Sequence, residues 1–159
     1  MTQYELDNEL QLLRMEEQSA ILDLQKRKVS LREQMSKELD DEDNQYLEKK
    51  NEIKYDLATV NSLYVRTTDI EEKSKLKFKQ CANSIDLTNI NDLHIKNTQA
   101  IISKFKTESL KLDNECSELH VNYNKRRLEL RKQFADEQKV NNPLLETANW
   151  DGEARIIEK

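Results

Sequence analysis

Glycine and proline, the residues that most readily let a chain turn, occur once each in 159 residues, as Gly152 and Pro143. Both lie within residues 141–159, so the first 140 residues contain neither. Compact domains usually place several of them at their turns. Charged residues make up 36% of the chain, and Glu, Lys, Leu and Gln are good helix formers. We therefore expect an all-α protein, an elongated coiled coil or helical bundle made of a few long helices.

Residues 1–66 are predicted to form one long heptad helix. Apolar residues recur there at steps of three and four, the spacing of a helix stripe that packs on a partner. We call this stripe the helix seam. Four-residue steps near residues 35–39 predict a stutter, where the seam shifts around the helix. Thr2 and Glu5 have the spacing of a capping box at the start of the helix. The seam residues of this segment are Leu6, Leu10, Leu13, Leu24, Leu31, Ile53, Leu57, Val60 and Tyr64.

Residues 95–140 are predicted to form a second regular heptad helix. Here the three-four alternation runs over five heptads without a slip, beginning at Ile95. A helix that is apolar along one stripe needs a partner surface to cover it. Its seam residues are Ile102, Phe105, Leu112, Cys116, Leu119, Tyr123 and Leu130.

Residues 67–94, between these helices, are less regular and are predicted to form a shorter helix with a polar turn region. Thr68 and Glu71 have capping-box spacing, which predicts a break near residues 66–69. Ser84, Thr88 and nearby asparagines predict a second break near residues 83–92, because such side chains bond their own backbone. The alternative is one continuous helix that carries a polar patch.

Polar residues fall on several seam positions, where they weaken self-pairing and specify the partner. We therefore expect a bundle with other helical subunits rather than a homodimer. In the alternative interpretation, their long side chains extend to solvent at the edge of the seam. These positions are Glu17, Arg27, Lys50, Thr98, Ser109 and Arg126.

The sequence contains no pattern that predicts catalysis, a cofactor or a metal site. His94 and His120 have no second histidine at helical spacing, and Cys81 and Cys116 are far apart. Cys116 occupies a seam position, where it is expected to be a small core residue. A single glycine also excludes glycine-rich phosphate loops. We therefore expect a protein that is not an enzyme.

Charge is unevenly distributed along the chain. Residues 1–66 carry 15 acidic and 10 basic side chains, whereas residues 67–140 carry 12 and 14. These segments suit pairing with each other or with partners of opposite sign. Residues 40–43 are all acidic, and we expect a solvated stretch with a loosened helix turn, the alternative being contact with a basic partner or a cation. A basic run suits either an anionic partner or a solvated outer face: Lys125, Arg126, Arg127, Arg131 and Lys132.

Residues 141–159 form a tail outside the heptad pattern. Pro143 disfavours helix at Asn142, so the long helix is expected to end near residue 141. Trp150 is the only tryptophan, and tryptophan is enriched at interface positions that dominate binding. We expect this tail to dock on another subunit or on the bundle itself; the alternative is a disordered terminus. The apolar residues that would make the contact are Leu144, Leu145, Trp150, Ile156 and Ile157.

These features favour a non-catalytic structural or scaffold subunit of an intracellular multiprotein assembly, of the kinetochore, spindle, chromatin or tethering type. Nucleic acid is the second candidate partner, bound as an adaptor through residues 125–132. A third alternative is a helical chaperone-like or regulatory protein that is folded without partners. No apolar signal region and no 18-residue apolar run occur, so no membrane insertion is expected. We expect an intracellular protein, cytoplasmic or nuclear, with the nucleus slightly favoured.

Overall fold

The computed structural model describes residues 1–141, and these residues form two long α-helices. The first helix, α1, spans Gln3–Arg66, and the second, α2, spans Ile70–Asn141. No β-strand occurs within residues 1–141. The predicted all-α class is therefore confirmed, and the helices pack against each other through their apolar stripes.

The start of α1 is stabilised by the predicted capping box. The backbone N–H of Glu5 donates to Thr2 Oγ1 at 3.2 Å, and the backbone N–H of Thr2 donates to Glu5 Oε2 at 2.8 Å. Two amide groups that have no partner inside the helix are thereby satisfied. The sequence signature and the observed contacts agree at this terminus.

The turn between α1 and α2 lies at residues 67–69, which confirms the predicted break near 66–69. The cap of α2 differs from the prediction, because Asp69 rather than Thr68 accepts a backbone hydrogen bond, from the N–H of Glu71 at 3.3 Å. Aspartate at a helix N-terminus also adds negative charge where the helix dipole favours it.

The second predicted break, near residues 83–92, is wrong: α2 continues through this stretch without interruption. Thr88 shows why residues of this type did not end the helix. Its hydroxyl donates to the backbone carbonyl of Ser84 at 3.1 Å, so it is satisfied within the helix rather than at a cap. Without proline or glycine nearby, nothing forces the backbone out of the helical conformation. The continuous helix was the alternative interpretation.

The chain divides into two compact units, each of which pairs a segment of α1 with a segment of α2. Among the described residues, the first unit contains Met1–Arg27 and residues 111–141, and the second contains Lys28–Leu110. In the first unit, Glu17 contacts His120 and Arg27 contacts Glu115, so the paired segments are antiparallel. In the second unit, contacts from Glu38 to Lys104 and from Asn61 to Gln80 give the same antiparallel direction.

The buried core of the described residues is small and entirely apolar. Four of its side chains belong to the first unit, and Phe105 belongs to the second. A typical domain of this length buries far more of its apolar surface. The complete set is Leu6, Leu13, Leu24, Phe105 and Leu112.

Candidate functional site: the helix seam and its charged contacts

The predicted seam residues lie mostly between α1 and α2 of this one chain, although the sequence predicted pairing with other subunits. Five of them are the buried residues named above. The other half-buried ones are Leu10, Leu31, Ile53, Leu57, Val60, Tyr64, Cys116, Leu119, Tyr123 and Leu130. Each helix thus covers part of the apolar stripe of the other.

Ile102 is the predicted seam residue that the structure leaves exposed, at 46% of its surface, and Ile101 takes the half-buried position. The protected positions step by four from Ile101 to Phe105 and again to Ser109. This double step is a stutter, so the prediction of five uninterrupted heptads in α2 is wrong. The slip explains why the register upstream of Phe105 is shifted by one residue.

A second slip occurs within the basic run. The protected positions step by four from Tyr123 to Arg127, which leaves Arg126 exposed and Arg127 half-buried. Arg127 forms an ion pair with Glu17, and the side chains of both are less than one quarter exposed. The seam position assigned to Arg126 therefore belongs to Arg127.

Glu17 of α1 contacts two basic side chains of α2 within the first unit. Its Oε1 lies 3.0 Å from Nδ1 of His120, and its Oε2 pairs with Arg127. The neighbouring Glu16 pairs with Arg126 at 3.4 Å, where both side chains are about half exposed. Exposed pairs are worth up to about 1 kcal/mol each, and the stronger attraction in a more buried pair is offset by the loss of hydration. Acidic residues of α1 thus meet basic residues of α2, which is the intramolecular pairing that the charge asymmetry allowed.

The five basic residues that the sequence singled out are divided between two environments. Arg126 and Arg127 are engaged by glutamates of α1. Lys125, Arg131 and Lys132 are exposed on α2. The run is therefore not one continuous surface of available cations.

The second unit contains a polar cluster around His94 that sequence reasoning missed. The two ring nitrogens of His94 each lie 3.4 Å from a carboxylate oxygen, Nδ1 from Glu42 and Nε2 from Asp43. The ring stacks on Tyr46 with centroids 4.1 Å apart. Asn97 donates to Glu42 at 3.1 Å, and the Tyr46 hydroxyl donates to Asn91.

This cluster corrects the expectation of a loosened turn at residues 40–43, whereas Asp40, Asp41 and Asp43 are exposed, as expected of a solvated stretch. The segment is regular helix, and Glu42 is half-buried against α2. His94 occupies a protected position that follows Leu87 and Ile90 at steps of three and four. The signal was present in the sequence as heptad spacing, but polar residues at the seam positions concealed it.

The contact between α1 and α2 includes two further polar groups, the Thr98 hydroxyl and the Met1 α-amino group. The hydroxyl of Thr98 is the one buried side-chain polar atom without a hydrogen-bond partner in the described part of the chain. The α-amino group of Met1 pairs with Glu137 at 2.8 Å. The hydrogen bond between the Met1 amine and the Glu137 carboxylate raises the pKa of the amine and lowers the pKa of the carboxyl group.

The remaining predictions concern the tail, which the structure does not describe, and the possible metal ligands and cysteines. The tail-docking residues Leu144, Leu145, Trp150, Ile156 and Ile157 lie outside the described residues. Within residues 1–141, no group of three His, Cys, Asp or Glu side chains is placed to hold a metal ion. Cys81 is exposed and Cys116 is half-buried, and neither forms a disulfide.

Neither α1 nor α2 has a stretch with the length and hydrophobicity needed to cross a membrane. Comparisons of the chain with protein-family models, curated proteins and solved structures found no match.

Proposed function

We infer that this chain is a non-catalytic helical subunit that becomes fully stable only when helices of other proteins pack against it. The observation that carries this inference is the small core, five buried side chains in the described residues. The second unit contributes only Phe105 to that core. Fixing the backbone of each residue costs about 1–2 kcal/mol of conformational entropy. Five buried side chains offset only a small part of this cost, so additional packing partners are favoured.

Exposed apolar side chains on both helices support the same inference. Large side chains such as Tyr55, Val65, Ile70 and Phe78 are more than two-thirds exposed. The polar contacts of the interface add specificity rather than much stability, since partly exposed ion pairs contribute little. A scaffold subunit of a kinetochore, spindle, chromatin or tethering assembly is the class we propose.

The adaptor alternative, in which residues 125–132 bind nucleic acid, has less support from the observed contacts. Of the five basic residues, Arg126 and Arg127 already contact Glu16 and Glu17. Binding through the whole run would require those pairs to open. Three exposed cations are a small footprint compared with the basic faces of dedicated nucleic-acid binders.

Light scattering of the purified chain tests whether its partners are other proteins. We expect the mass of a monomer, 18.9 kDa, over a broad concentration series, because α1 and α2 already cover each other's seams within one chain. A mass that rises to twice this value at micromolar concentration would identify the chain as a homodimer. That result would contradict the proposed heteromeric assembly.

A further inference from the structure

The outward face of α1 in the first unit lacks charge. A helix face that points to solvent usually carries charged side chains, and charged residues are 36% of this chain. Between residues 8 and 25, however, the positions opposite the seam are all uncharged and all exposed. We call these residues the outer face: Asn8, Gln11, Leu12, Met15, Gln18, Ser19, Leu22 and Gln25.

The centre of the outer face is apolar. Leu12, Met15 and Leu22 are 59%, 57% and 52% exposed. Leu12 and Met15 are neighbours at a spacing of three, and Leu22 follows Met15 by seven, so the three side chains form a stripe along the helix. This spacing is the one that a second helix recognises when it packs alongside.

The two edges of the stripe repeat every seven residues. Gln11, Gln18 and Gln25 form one edge, and Glu9, Glu16 and Asp23 form the other. A repeat of seven keeps each edge at a constant position beside a coiled-coil partner. The acidic edge is largely free: Glu9 and Asp23 have no ion-pair partner within residues 1–141, and Glu16 pairs only with the half-exposed Arg126.

We propose that the outer face binds an amphipathic helix of another protein, one whose apolar stripe covers Leu12, Met15 and Leu22 and whose adjoining edge carries Lys or Arg. The proposal rests on the proposed function and specifies where one partner helix packs. Its basic side chains pair with Glu9, Glu16 and Asp23. Charged edges of this kind determine partner choice and orientation in coiled coils.

Charge decides between this occupant and the two others that the chain itself offers. In an antiparallel pair of two copies, like edges face each other, so the acidic edge would meet the same three acids. In a parallel pair it would meet the uncharged glutamine edge, so a second copy supplies no complementary charge in either direction. Residues 142–159 carry four acidic and two basic side chains, so they have the same sign as the acidic edge. A basic-edged helix from another protein is the occupant whose charge complements this surface.

Binding of synthetic peptides to the full-length chain tests the proposal by fluorescence anisotropy. One labelled three-heptad peptide has Leu at the seam positions and Lys at both edges, and a second replaces every Lys with Glu. We expect the chain to prefer the Lys peptide. Changing Leu12, Met15 and Leu22 to Gln should weaken that binding by at least about tenfold, because the apolar contact is lost.

Two further variants separate this surface from general electrostatic attraction. Changing Val121 and Leu128 to Gln alters similarly exposed apolar residues on α2 and should change affinity less than about twofold. Changing Glu9 and Asp23 to Lys should reverse the preference, so that the Glu peptide binds more tightly. Circular dichroism of each variant verifies that helix content is unchanged.

Three outcomes would overturn the proposal while leaving the proposed function intact. They are equal weakening by the α1 and α2 variants, an unchanged peptide preference after charge reversal, and no binding of the Lys peptide. A dimer that the triple Gln variant abolishes would assign the outer face to a second copy. The proposed function has separate tests, which are the mass of the purified chain by light scattering and the stability of the isolated chain.

Discussion

Replacing Phe105 with alanine is expected to lower the free energy of unfolding by about 3–5 kcal/mol, the usual cost of removing a buried phenylalanine ring. Phe105 is 3% exposed and is the one buried side chain among residues 28–110. The ammonium group of Lys104 lies 5.1 Å from the centroid of the Phe105 ring. Because small domains have total stabilities of about 5–15 kcal/mol, this loss would remove a large part of the stability of the second unit.

Urea denaturation followed by circular dichroism measures this effect, and Phe78 provides a matched control. Phe78 lies on the same helix and in the same unit but is 76% exposed. Changing Phe78 to alanine should shift the free energy of unfolding by no more than about 0.5 kcal/mol. Equal destabilisation by the two variants would show that Phe105 is not buried as described.

Replacing Leu13 with alanine is expected to destabilise the first unit by about 2–5 kcal/mol, since the substitution leaves a cavity where a buried side chain packed. Leu13 is 6% exposed between α1 and α2. The adjacent Leu12 is 59% exposed on the outer face. The two leucines therefore separate the roles of the two sides of α1.

The same denaturation experiment distinguishes Leu13 from Leu12. Changing Leu12 to alanine should leave the stability of the isolated chain within about 0.5 kcal/mol of the original, whereas it should weaken binding of a partner helix. If the Leu12 variant were the less stable of the two, the register of α1 against α2 would be wrong by one residue.

The ends of the helices could be predicted from the sequence because they depend on local chemistry. Thr2 and Glu5 form the expected capping box, and the break after Arg66 occurs where expected. The predicted break at residues 83–92 was wrong because side chains that form caps can also donate hydrogen bonds to backbone carbonyls inside a helix, as Thr88 does.

The register of α2 could be predicted only in part, because a strict three-four repeat does not reveal where a helix slips. The four-residue steps around Phe105 and at Tyr123 place Ile101 and Arg127 at the interface instead of Ile102 and Arg126. Each slip follows from packing against α1, which adjusts the seam to its partner.

The contacts around His94 could not be predicted, because they join residues about 50 positions apart in the sequence. Asp43, Glu42 and Tyr46 come from α1, and only the antiparallel pairing of residues 28–110 brings them to His94. The sequence did predict which stripes need cover, but it left open whether α1 and α2 or other chains supply it. The outer face became recognisable once the seam was assigned, since its positions are defined by lying opposite.

Circular dichroism of the purified chain, with a thermal melt, tests most directly whether the chain is an incomplete part of a larger assembly. We expect fewer helical residues than the 64 of α1 and 72 of α2 at physiological temperature, and a melt centred below about 45 °C, the lower end for stable small domains, because little apolar surface is buried. A monomer with the full helix content and a melt well above that temperature would contradict the account and favour a protein that is folded without partners.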